Sequence, residues 1–507
     1  TGRIRQTATP GNQYIFPGGD YSAFTTSSGG TFEFGGTTNG TLSTQATYNH
    51  VDFTGSATKN LPNANITLNG NLTISAGILA NPSNKNISLN GNWTNTVGVG
   101  GFTSGNGSVN LIGGSQTLTG STNFYNLVAN GAGDKTLTSS VTATNGLTLT
   151  DGIFVTGANQ MIVNSTASIS GGSATSYVSG NLRRGIPASA TTTVFQIGDA
   201  TSYTPVTINY TGTTVAGGFI TANTSSGDHP QVYTSGIDQT KTANRYWTLT
   251  NSGVTGFTGY NAAFTFVSGD LDVSANPLNF MVARYSSSTW TQPTVGTITS
   301  TSTQGISISG TTFGDFQVGQ SVGGKIWTGT TNTNWNVSTN WIPATVPGSG
   351  DNAIIGNVPN QPTFISGGNG QCKDLVLLTG AVVTIPTGYT LTVNENIDAA
   401  GNTIDGVGDL AINGASSTLT GSLIVNSNLI VNASSTLVLG TGSTLNLGKD
   451  FTVNGSLTPN SLPVTFVGTN HSTVSGNIGF YDLVVNKTTS SYNVVLGSDI
   501  TVSNEVN

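Results

Sequence analysis

The sequence predicts an all-β protein in which two β-solenoid arrays, of the parallel β-helix type, flank an antiparallel β-sandwich module with immunoglobulin-like topology. Residues that favour helices are scarce, because Glu occurs three times and Met twice in 507 residues. Charged residues make up 7% and hydrophobic residues 35%, whereas an ordinary soluble domain carries roughly 25% charge. A disordered chain would combine low hydrophobicity with high charge, so a packed β-protein is expected. The third observation is an internal repeat.

The repeat consists of an apolar strand followed by a lysine. Tyr48-Asn49-His50-Val51 precedes Lys59, and Tyr125-Asn126-Leu127-Val128 precedes Lys135. The tyrosines lie 77 residues apart and the lysines 76. Such self-similarity along a chain is typical of solenoids and other stacked architectures. We therefore assign residues 1–173 to a first solenoid array.

The coil length follows from the strand pattern within the repeat. Residues 65–74 and 86–93 alternate apolar and small polar side chains, which indicates strands with one buried face. Asn69-Gly70 and Asn90-Gly91 mark the bends, 21 residues apart. We interpret that spacing as one coil.

A second array is predicted for residues 366–507. Phe480–Asn486 repeats Phe124–Asn130 at an offset of 356 residues. The copy breaks off before its next strand, so the array is truncated and further chain is expected after Asn507.

The middle of the chain, residues 174–322, carries longer, aromatic-rich strands such as Arg245–Leu249 and Asn279–Tyr285. Several strands separated by turn signals over such a length predict the antiparallel sandwich.

A Trp- and Pro-rich connection, residues 323–365, is expected to begin the second array. Trp327, Trp335 and Trp341 have two interpretations. As exposed rings they form a platform that binds surface glycans, and as buried rings they close the end of the second solenoid. Four prolines are expected to keep this connection extended: Pro343, Pro347, Pro359 and Pro362.

These motifs together resemble very large secreted cell-surface proteins of Bacteroidetes. The resemblance is carried by the Tyr-Asn-Leu repeat with its preceding glycines, by Asn-Gly-Asn-Trp-Thr-Asn at residues 90–95, by the segment from Phe195-Gln196-Ile197-Gly198 to Arg245-Tyr246-Trp247, and by Trp-x-Gly-x5-Trp-x4-Asn-Trp at residues 327–341. It implies export by type IX secretion and a role in adhesion, gliding or extracellular fibres. It brings no catalytic residues with it.

No catalytic site is predicted. The histidines His50, His229 and His471 lie in different modules, without a nucleophile elbow or clustered metal ligands. His50 aligns with Leu127 and Leu483 of the other repeat copies and is interpreted as a strand residue. Asp270 and Asp272 have no carboxylate partner of the kind that glycosidases need. The single Cys372 is expected to be buried and inert.

Calcium is the one cofactor for which candidate ligands exist. Asp398, Asn402, Asp405 and Asp409 lie in a glycine-rich stretch, and calcium prefers oxygen ligands on loops. Their spacing matches no established calcium motif, so turn-forming Asp and Asn are the alternative interpretation.

The expected function is that of a non-enzymatic, extracellular structural or adhesive repeat protein, which forms a rod, stalk or fibre at the bacterial surface. Its expected partners are copies of itself or neighbouring repeats of a longer chain. A carbohydrate-binding surface module is the alternative, and a polysaccharide-active enzyme is a weaker one. The chain carries 14 Lys and Arg against 21 Asp and Glu, with no basic block beyond Arg183-Arg184, so no nucleic-acid partner is expected. No apolar run is long enough to span a membrane.

Overall fold

The computed structural model confirms the all-β prediction. It describes every residue except 1, 8–12, 17–18, 44, 46, 216, 322 and 343, so Pro343 lies outside the described residues. Strands account for 57% of the chain and helices for 4%, and the strands build a β-solenoid of about 22 turns. Among the described residues no helix is long and apolar enough to cross a membrane.

The chain divides into two compact units. The first unit comprises Thr1–His229, Gln239–Ser286 and Thr291–Gln320, and the second comprises Pro230–Asp238, Ser287–Trp290 and Ser321–Asn507. Within the first unit the buried apolar residues of the solenoid and of the middle module form one continuous core. The predicted boundary at residue 174 therefore falls inside a shared core.

The first array is a stack of parallel coils. Ile87 pairs with Ile66, 21 residues before it, and with Val109, 22 residues after it, so the predicted coil length is confirmed. The alternating pattern buries one face of each short strand, and the next coil supplies the missing hydrogen-bond partners. The elements of this array are β1 Arg3–Gln6, β2 Gln13–Tyr14, α1 Ser22–Thr25, β3 Thr31–Phe34, β4 Gly40–Leu42, β5 Thr47–Tyr48, β6 His50–Phe53, β7 Thr58–Asn60, β8 Ile66–Leu68, β9 Leu72–Ile74, β10 Ile78–Ala80, β11 Ile87–Leu89, β12 Trp93–Asn95, β13 Phe102–Thr103, β14 Ser108–Leu111, β15 Gln116–Thr119, β16 Asn123–Leu137, β17 Val141–Val163 and β18 Ser168–Gly171.

The strands of the middle module pair mainly antiparallel, with one parallel pair between Val178–Gly185 and Ile197–Gly198. One sheet has the order β20 (Thr192–Phe195), β22 (Val206–Val215), β25 (Thr255–Thr265), β29 (Ser302–Ser309) and β28 (Thr294–Ile298). The other joins β19 (Val178–Gly185), β23 (Phe219–Ser226), β24 (Ile237–Ser252), β30 (Gly314–Ser321) and β26 (Phe280–Ser286). The sheets pack face to face, since the Phe264 ring lies 5.2 Å from Trp247 and 4.7 Å from Phe316 of the other sheet. The finer prediction of immunoglobulin-like topology stays a prediction. The strands are β19 Val178–Gly185, β20 Thr192–Phe195, β21 Ile197–Gly198, β22 Val206–Val215, β23 Phe219–Ser226, β24 Ile237–Ser252, β25 Thr255–Thr265, β26 Phe280–Ser286, β27 Thr289–Thr291, β28 Thr294–Ile298, β29 Ser302–Ser309 and β30 Gly314–Ser321.

Strand β19 joins the two architectures. Val178, at its start, pairs in parallel with Phe154 of the solenoid strand β17. Leu182, farther along, pairs antiparallel with Ala222 of β23. One edge of the first array is thus continued by the sandwich, which explains the shared core.

The second array stacks coils of similar length. Leu391 pairs with Leu410, and Leu410 with Leu429, at spacings of 19 residues. Each complete coil contributes three strand segments to two parallel sheets. The strands are β31 Gly324–Trp327, β32 Trp341–Ile342, β33 Asn352–Ile355, β34 Gly370–Cys372, β35 Leu375–Leu377, β36 Val382–Ile385, β37 Thr390–Val393, β38 Ile397–Gly406, β39 Asp409–Ile412, β40 Ser417–Val425, β41 Asn428–Val431, β42 Thr436–Leu439, β43 Thr444–Leu447, β44 Phe451–Val453, β45 Ser456–Thr458, β46 Pro463–Gly468, β47 Ser472–Gly476, β48 Ile478–Lys487, β49 Val494–Leu496 and β50 Ile500–Val506.

Candidate functional site

The three tryptophans of the connection close one end of the second array. Strand β31 pairs in parallel with β33, but on its other side it pairs antiparallel with β32, so Trp327 lies opposite Trp341. This fold-back ends the parallel ladder. Trp341 packs edge-on against Trp327 and Trp335, with ring centroids 5.1 and 4.7 Å away. We name Trp327, Trp335 and Trp341 the tryptophan cap.

The expectation of an exposed aromatic platform is corrected by the burial of these rings. All three tryptophans are at most 1% exposed. The Trp327 Nε1–H donates to the carbonyl of Asn360 at 2.7 Å, and the Trp341 Nε1–H donates to the carbonyl of Trp335 at 2.8 Å. A ring that is covered on both faces cannot stack on a sugar, so the cap has a structural role in this conformation.

The four predicted calcium ligands are not brought together. Asp398 and Asp405 lie on separate halves of β38, and Asp409 begins β39. Each carboxylate accepts a hydrogen bond from the next coil: Asp398 from Thr420, Asp405 from Asn426 and Asp409 from Asn428. Among the described residues no group of three or more His, Cys, Asp or Glu is placed to hold a metal ion.

Asn402, the fourth predicted ligand, is 3% exposed and fills a corner of the coil. Its Oδ1 accepts from the backbone N–H groups of Gly380 and Ala381 at 2.8 and 3.1 Å. Its Nδ2 donates to the carbonyl of Leu377 at 2.8 Å. These contacts satisfy backbone groups that the bend would otherwise leave unpaired, as the alternative interpretation of turn-forming residues expects.

Side-chain ladders connect the coils along their outer faces. In one column, which we call the outer ladder, Asn71 Oδ1 accepts from the Asn92 N–H at 2.8 Å, and Asn92 Oδ1 accepts from the Thr117 N–H at 2.8 Å. His50 begins the same column, because its Nδ1 accepts from the Asn71 N–H at 2.9 Å. We call each of these side-chain-to-backbone hydrogen bonds a rung. Each rung satisfies a backbone N–H that lies beyond the strand ladder.

The position of His50 differs from the one that the repeat alignment predicted. Leu127 is fully buried, whereas His50 faces outward, between the coil corner at Asn49 and the buried Val51. The prediction that His50 and Leu127 occupy equivalent positions was therefore wrong. The corner at Asn49 shifts which residue faces the core, because neighbouring strand residues point to opposite faces.

The repeat lysines are buried braces at the coil corners. Lys59 and Lys135 are both fully buried and face the core. The Lys59 ammonium donates to the carbonyls of Gly55 and Ala57, and that of Lys135 donates to the carbonyls of Gly113, at 2.8 Å, and Gly114. Burial lowers the pKa of Lys59 to about 8 and also lowers that of Lys135.

These lysines mark the repeat in the sequence, but their function as hydrogen-bond donors was not predicted. Lys487 makes related contacts in the second unit, although it follows Tyr481 by six residues and is partly exposed. Lys487 follows the Phe480–Asn486 motif, and its Nζ donates to the carbonyl of Val467 at 2.8 Å and to Ser472 Oγ at 2.7 Å. The recurrence of a lysine after the apolar strand was the one sequence signal that pointed to a function for this lysine. Its inward orientation could not be inferred, because lysine is rarely buried without a carboxylate partner.

Replacing Lys135 by Met is expected to lower the free energy of unfolding of the first unit by about 1–3 kcal/mol, because glycine carbonyls at the corner lose their donor while remaining buried. Urea unfolding followed by circular dichroism measures the loss. The matched control is Lys85→Met, since the Lys85 side chain is partly exposed. If both variants lose the same free energy of unfolding, the Lys135 ammonium does not stabilise the coil corner.

A buried ion triad holds one side of the sandwich. Arg245, 1% exposed, donates to both carboxylate oxygens of Asp270, at 3.0 and 2.9 Å, and to Asp199 Oδ2 at 2.7 Å. Burial opposes the Arg245 charge, but the hydrogen bonds that Arg245 donates to the two aspartates keep its pKa above the usual value. Asp270, for which the sequence offered no partner, thus forms a bidentate ion pair with Arg245.

A second polar cluster lies nearby in the same module. Asp228 Oδ1 accepts from Thr242 Oγ1 at 2.6 Å, and Asp272 Oδ1 accepts from Asn244 Nδ2 at 2.7 Å. Burial, with the charge of Asp272 contributing, raises the pKa of Asp228. His229 Nε2 lies 3.1 Å from Asp315 Oδ2. These contacts tie loops to strands and satisfy buried polar groups.

Cys372 is fully buried on β34, as expected. Burial raises the pKa of its thiol. Because the thiolate is the reactive form, this residue serves as a small core side chain.

The last coil of the second unit exposes the ends of its core columns. Leu391, Leu410, Leu429, Phe451 and Val474 form one inward column and are at most 1% exposed, but Leu496, which pairs with Val474, is 53% exposed. Likewise Val506, which pairs with Leu483, is 64% exposed. We name the surface formed by Val485, Leu496 and Val506 the end face.

Comparisons with known proteins bear on the second unit. A family model described as a domain of unknown function (DUF8693) matches residues 326–428, which are 103 of the chain's 507 residues. No curated protein and no solved structure shows a significant match to the chain. Over the tryptophan cap and the coils up to the start of β41, the chain is therefore similar to a family whose function is not established.

Proposed function

We propose that this chain is a non-enzymatic, structural segment of an extracellular bacterial surface protein, in which stacked coils form a rod, stalk or fibre. The supporting observation is the coil-to-coil register: mostly apolar side chains recur in the inward columns, and backbone and side-chain ladders join successive coils. In such a stack each coil contacts its neighbours alone, so length grows without a new topology. Export by type IX secretion and adhesion at the cell surface, which the resemblance to Bacteroidetes proteins implies, are part of this proposal.

We propose that copies of the chain associate with each other through the end face. The end face continues the coil-to-coil interface, because its side chains lie in the columns that are buried in every preceding complete coil. A further coil, from a longer chain or from a second molecule, would cover it and pair with the edge strand β50. Charged residues make up only 7% of the chain, so charge repulsion between copies is small.

The test combines negative-stain electron microscopy with light scattering of the purified chain over a range of concentrations. We expect elongated particles that associate as concentration rises. The double variant Leu496→Lys with Val506→Lys should associate less, because a charge at each column end must be desolvated on docking. Val273→Lys is the control, since Val273 is fully exposed in the sandwich of the first unit.

The two parts of the proposal fail separately. Particles that are not elongated would contradict the structural rod. End-to-end docking would be contradicted by elongated particles that stay monomeric, or by a lysine double variant that associates as well as the wild-type chain. Neither result would contradict the proposal that the chain is a rod.

A further inference from the structure

His50 occupies a position in a side-chain ladder where the neighbouring coil uses an uncharged amide oxygen, and His471 accepts a backbone hydrogen bond in the second unit. In the outer ladder, the Asn71 N–H donates to His50 Nδ1 at 2.9 Å, and one coil later the Asn92 N–H donates to Asn71 Oδ1 at 2.8 Å. The two rungs join equivalent backbone positions. They differ in the acceptor, which is a ring nitrogen in the first and an amide oxygen in the second.

His471 accepts the same kind of backbone hydrogen bond in the second unit, where the acceptor of the preceding coil is the Asp450 carboxylate. The Asn493 N–H donates to His471 Nδ1 at 3.2 Å, and residue 493 immediately precedes β49 of the next coil. The His471 ring also lies 5.8 Å from the Tyr492 ring. The second unit contains amide-oxygen rungs as well, for example the Thr418 N–H donating to Asn396 Oδ1 at 3.0 Å.

The hydrogen-bond geometry assigns the same tautomer to both rings. A ring nitrogen that accepts a hydrogen bond from a backbone N–H carries no proton, so the neutral ring must hold its proton on Nε2. In the imidazolium form both nitrogens are donors, and Nδ1–H would face the backbone N–H directly. Histidine ordinarily changes charge between pH 5 and 8, whereas an asparagine does not titrate.

We propose that His50 and His471 are acid-sensitive rungs, at which protonation releases the backbone amide of the next coil and loosens that one coil-to-coil contact. The asparagine rungs in the same arrays keep their hydrogen bonds. Acidification would thus loosen the stack at two defined places, one in each unit, rather than along its whole length.

Charged groups surround both rungs. Along β6, Asp52 follows His50 by two residues on the same outward face, and the Arg3 guanidinium of β1 contacts both Asp52 and Glu33 of β3. Strand β9, which pairs with β6 from the other side, carries no titratable residue.

Around His471, the preceding coil contributes Asp450 and Lys449, and Asp450 Oδ1 accepts from the Thr473 N–H at 2.7 Å. Strand β48 contributes Lys487, whose Nζ donates to Ser472 Oγ. Tyr492 approaches from the next coil. Since both signs of charge are present at each site, the experiment must read each rung directly rather than infer it from global stability.

The test is hydrogen exchange of the 507-residue chain at pH 7.5 and pH 5.5, resolved to single amides by fragmentation in the mass spectrometer and corrected for the intrinsic pH dependence. We expect protection of the Asn71 and Asn493 amides to fall about fivefold or more at pH 5.5, the factor that corresponds to losing one hydrogen bond. Protection of the Asn92 and Thr418 amides, which donate to asparagine oxygens, should stay unchanged.

The variants His50→Asn and His471→Asn provide the matched comparison, because asparagine is the acceptor in the coil that follows His50 and at another place in the second unit. Each should keep its rung protected at both pH values. The proposal is overturned if the Asn71 and Asn493 amides stay protected at pH 5.5 in the wild-type chain. It is also overturned if they lose protection equally in the asparagine variants, or if the Asn92 and Thr418 amides lose it to the same extent. Exchange is local, so protonation of His229 beside Asp315 does not confuse the result.

Discussion

Replacing Arg245 by Met is expected to lower the free energy of unfolding of the sandwich by about 3–5 kcal/mol, among the largest effects of any single substitution in the chain. The cost arises because Asp270, 8% exposed, and the partly buried Asp199 would keep their charges without a partner. Two carboxylates held in a protein interior repel each other and lose their solvation. Urea unfolding, with hydrogen exchange of β24 as the local readout, measures the loss.

Arg284→Met is the matched control for this substitution. Arg284 lies in β26 of the same sandwich, is partly buried and donates to the carbonyl of Phe313 at 3.3 Å. We expect its replacement to cost about 1 kcal/mol or less. If Arg245→Met costs no more than Arg284→Met, the ion triad does not hold the module. Replacing Arg245, Asp199 and Asp270 together by apolar residues should recover part of the loss, since no charge is then left buried.

Replacing Trp341 by Ala is expected to destabilise the second unit by about 3–5 kcal/mol, the usual cost of removing a large buried aromatic side chain. Trp341 packs against both other rings of the tryptophan cap and is 1% exposed. Loss of the ring opens a cavity and frees β32, the strand that ends the parallel ladder. Because coils interact mainly with their neighbours, the effect should spread from this end. Hydrogen exchange should rise first in β31 and β33 and least in β46.

Trp341→Phe separates packing from hydrogen bonding at the same position. Phenylalanine keeps most of the ring contact but cannot donate to the Trp335 carbonyl. We expect a smaller loss, about 1–2 kcal/mol. A uniform rise in exchange along the whole second unit, or an alanine variant as stable as the phenylalanine variant, would show that these rings do not cap the array.

The sequence predicted the core positions of the solenoid better than it predicted the polar contacts between residues. The strand period placed the core columns correctly, so the all-β solenoid and its coil length needed no tertiary information. The predicted metal ligands are spread over different strand segments, because a stretch that is short in sequence passes around a coil and changes face. The contacts of Lys135 and the ion triad were missed, because their partners lie in other coils or loops, 20 or more residues away along the chain. The Lys59 contacts are local, but the inward orientation of its side chain was not predicted.

The sequence by itself determined the local rules of this protein: which residues alternate, where Asn-Gly allows a bend, and that the unit of repetition is about 21 residues. These follow from backbone geometry and side-chain type, which act over a few residues. The tertiary structure alone decided which way a side chain faces after a corner. It turned the three tryptophans inward by folding β32 back on β31, and it placed His50 on an outer ladder and Lys135 in the core. The physical reason is that burial and hydrogen-bond partnership depend on the neighbouring coil, whose contacts arise from residues about twenty positions away along the chain.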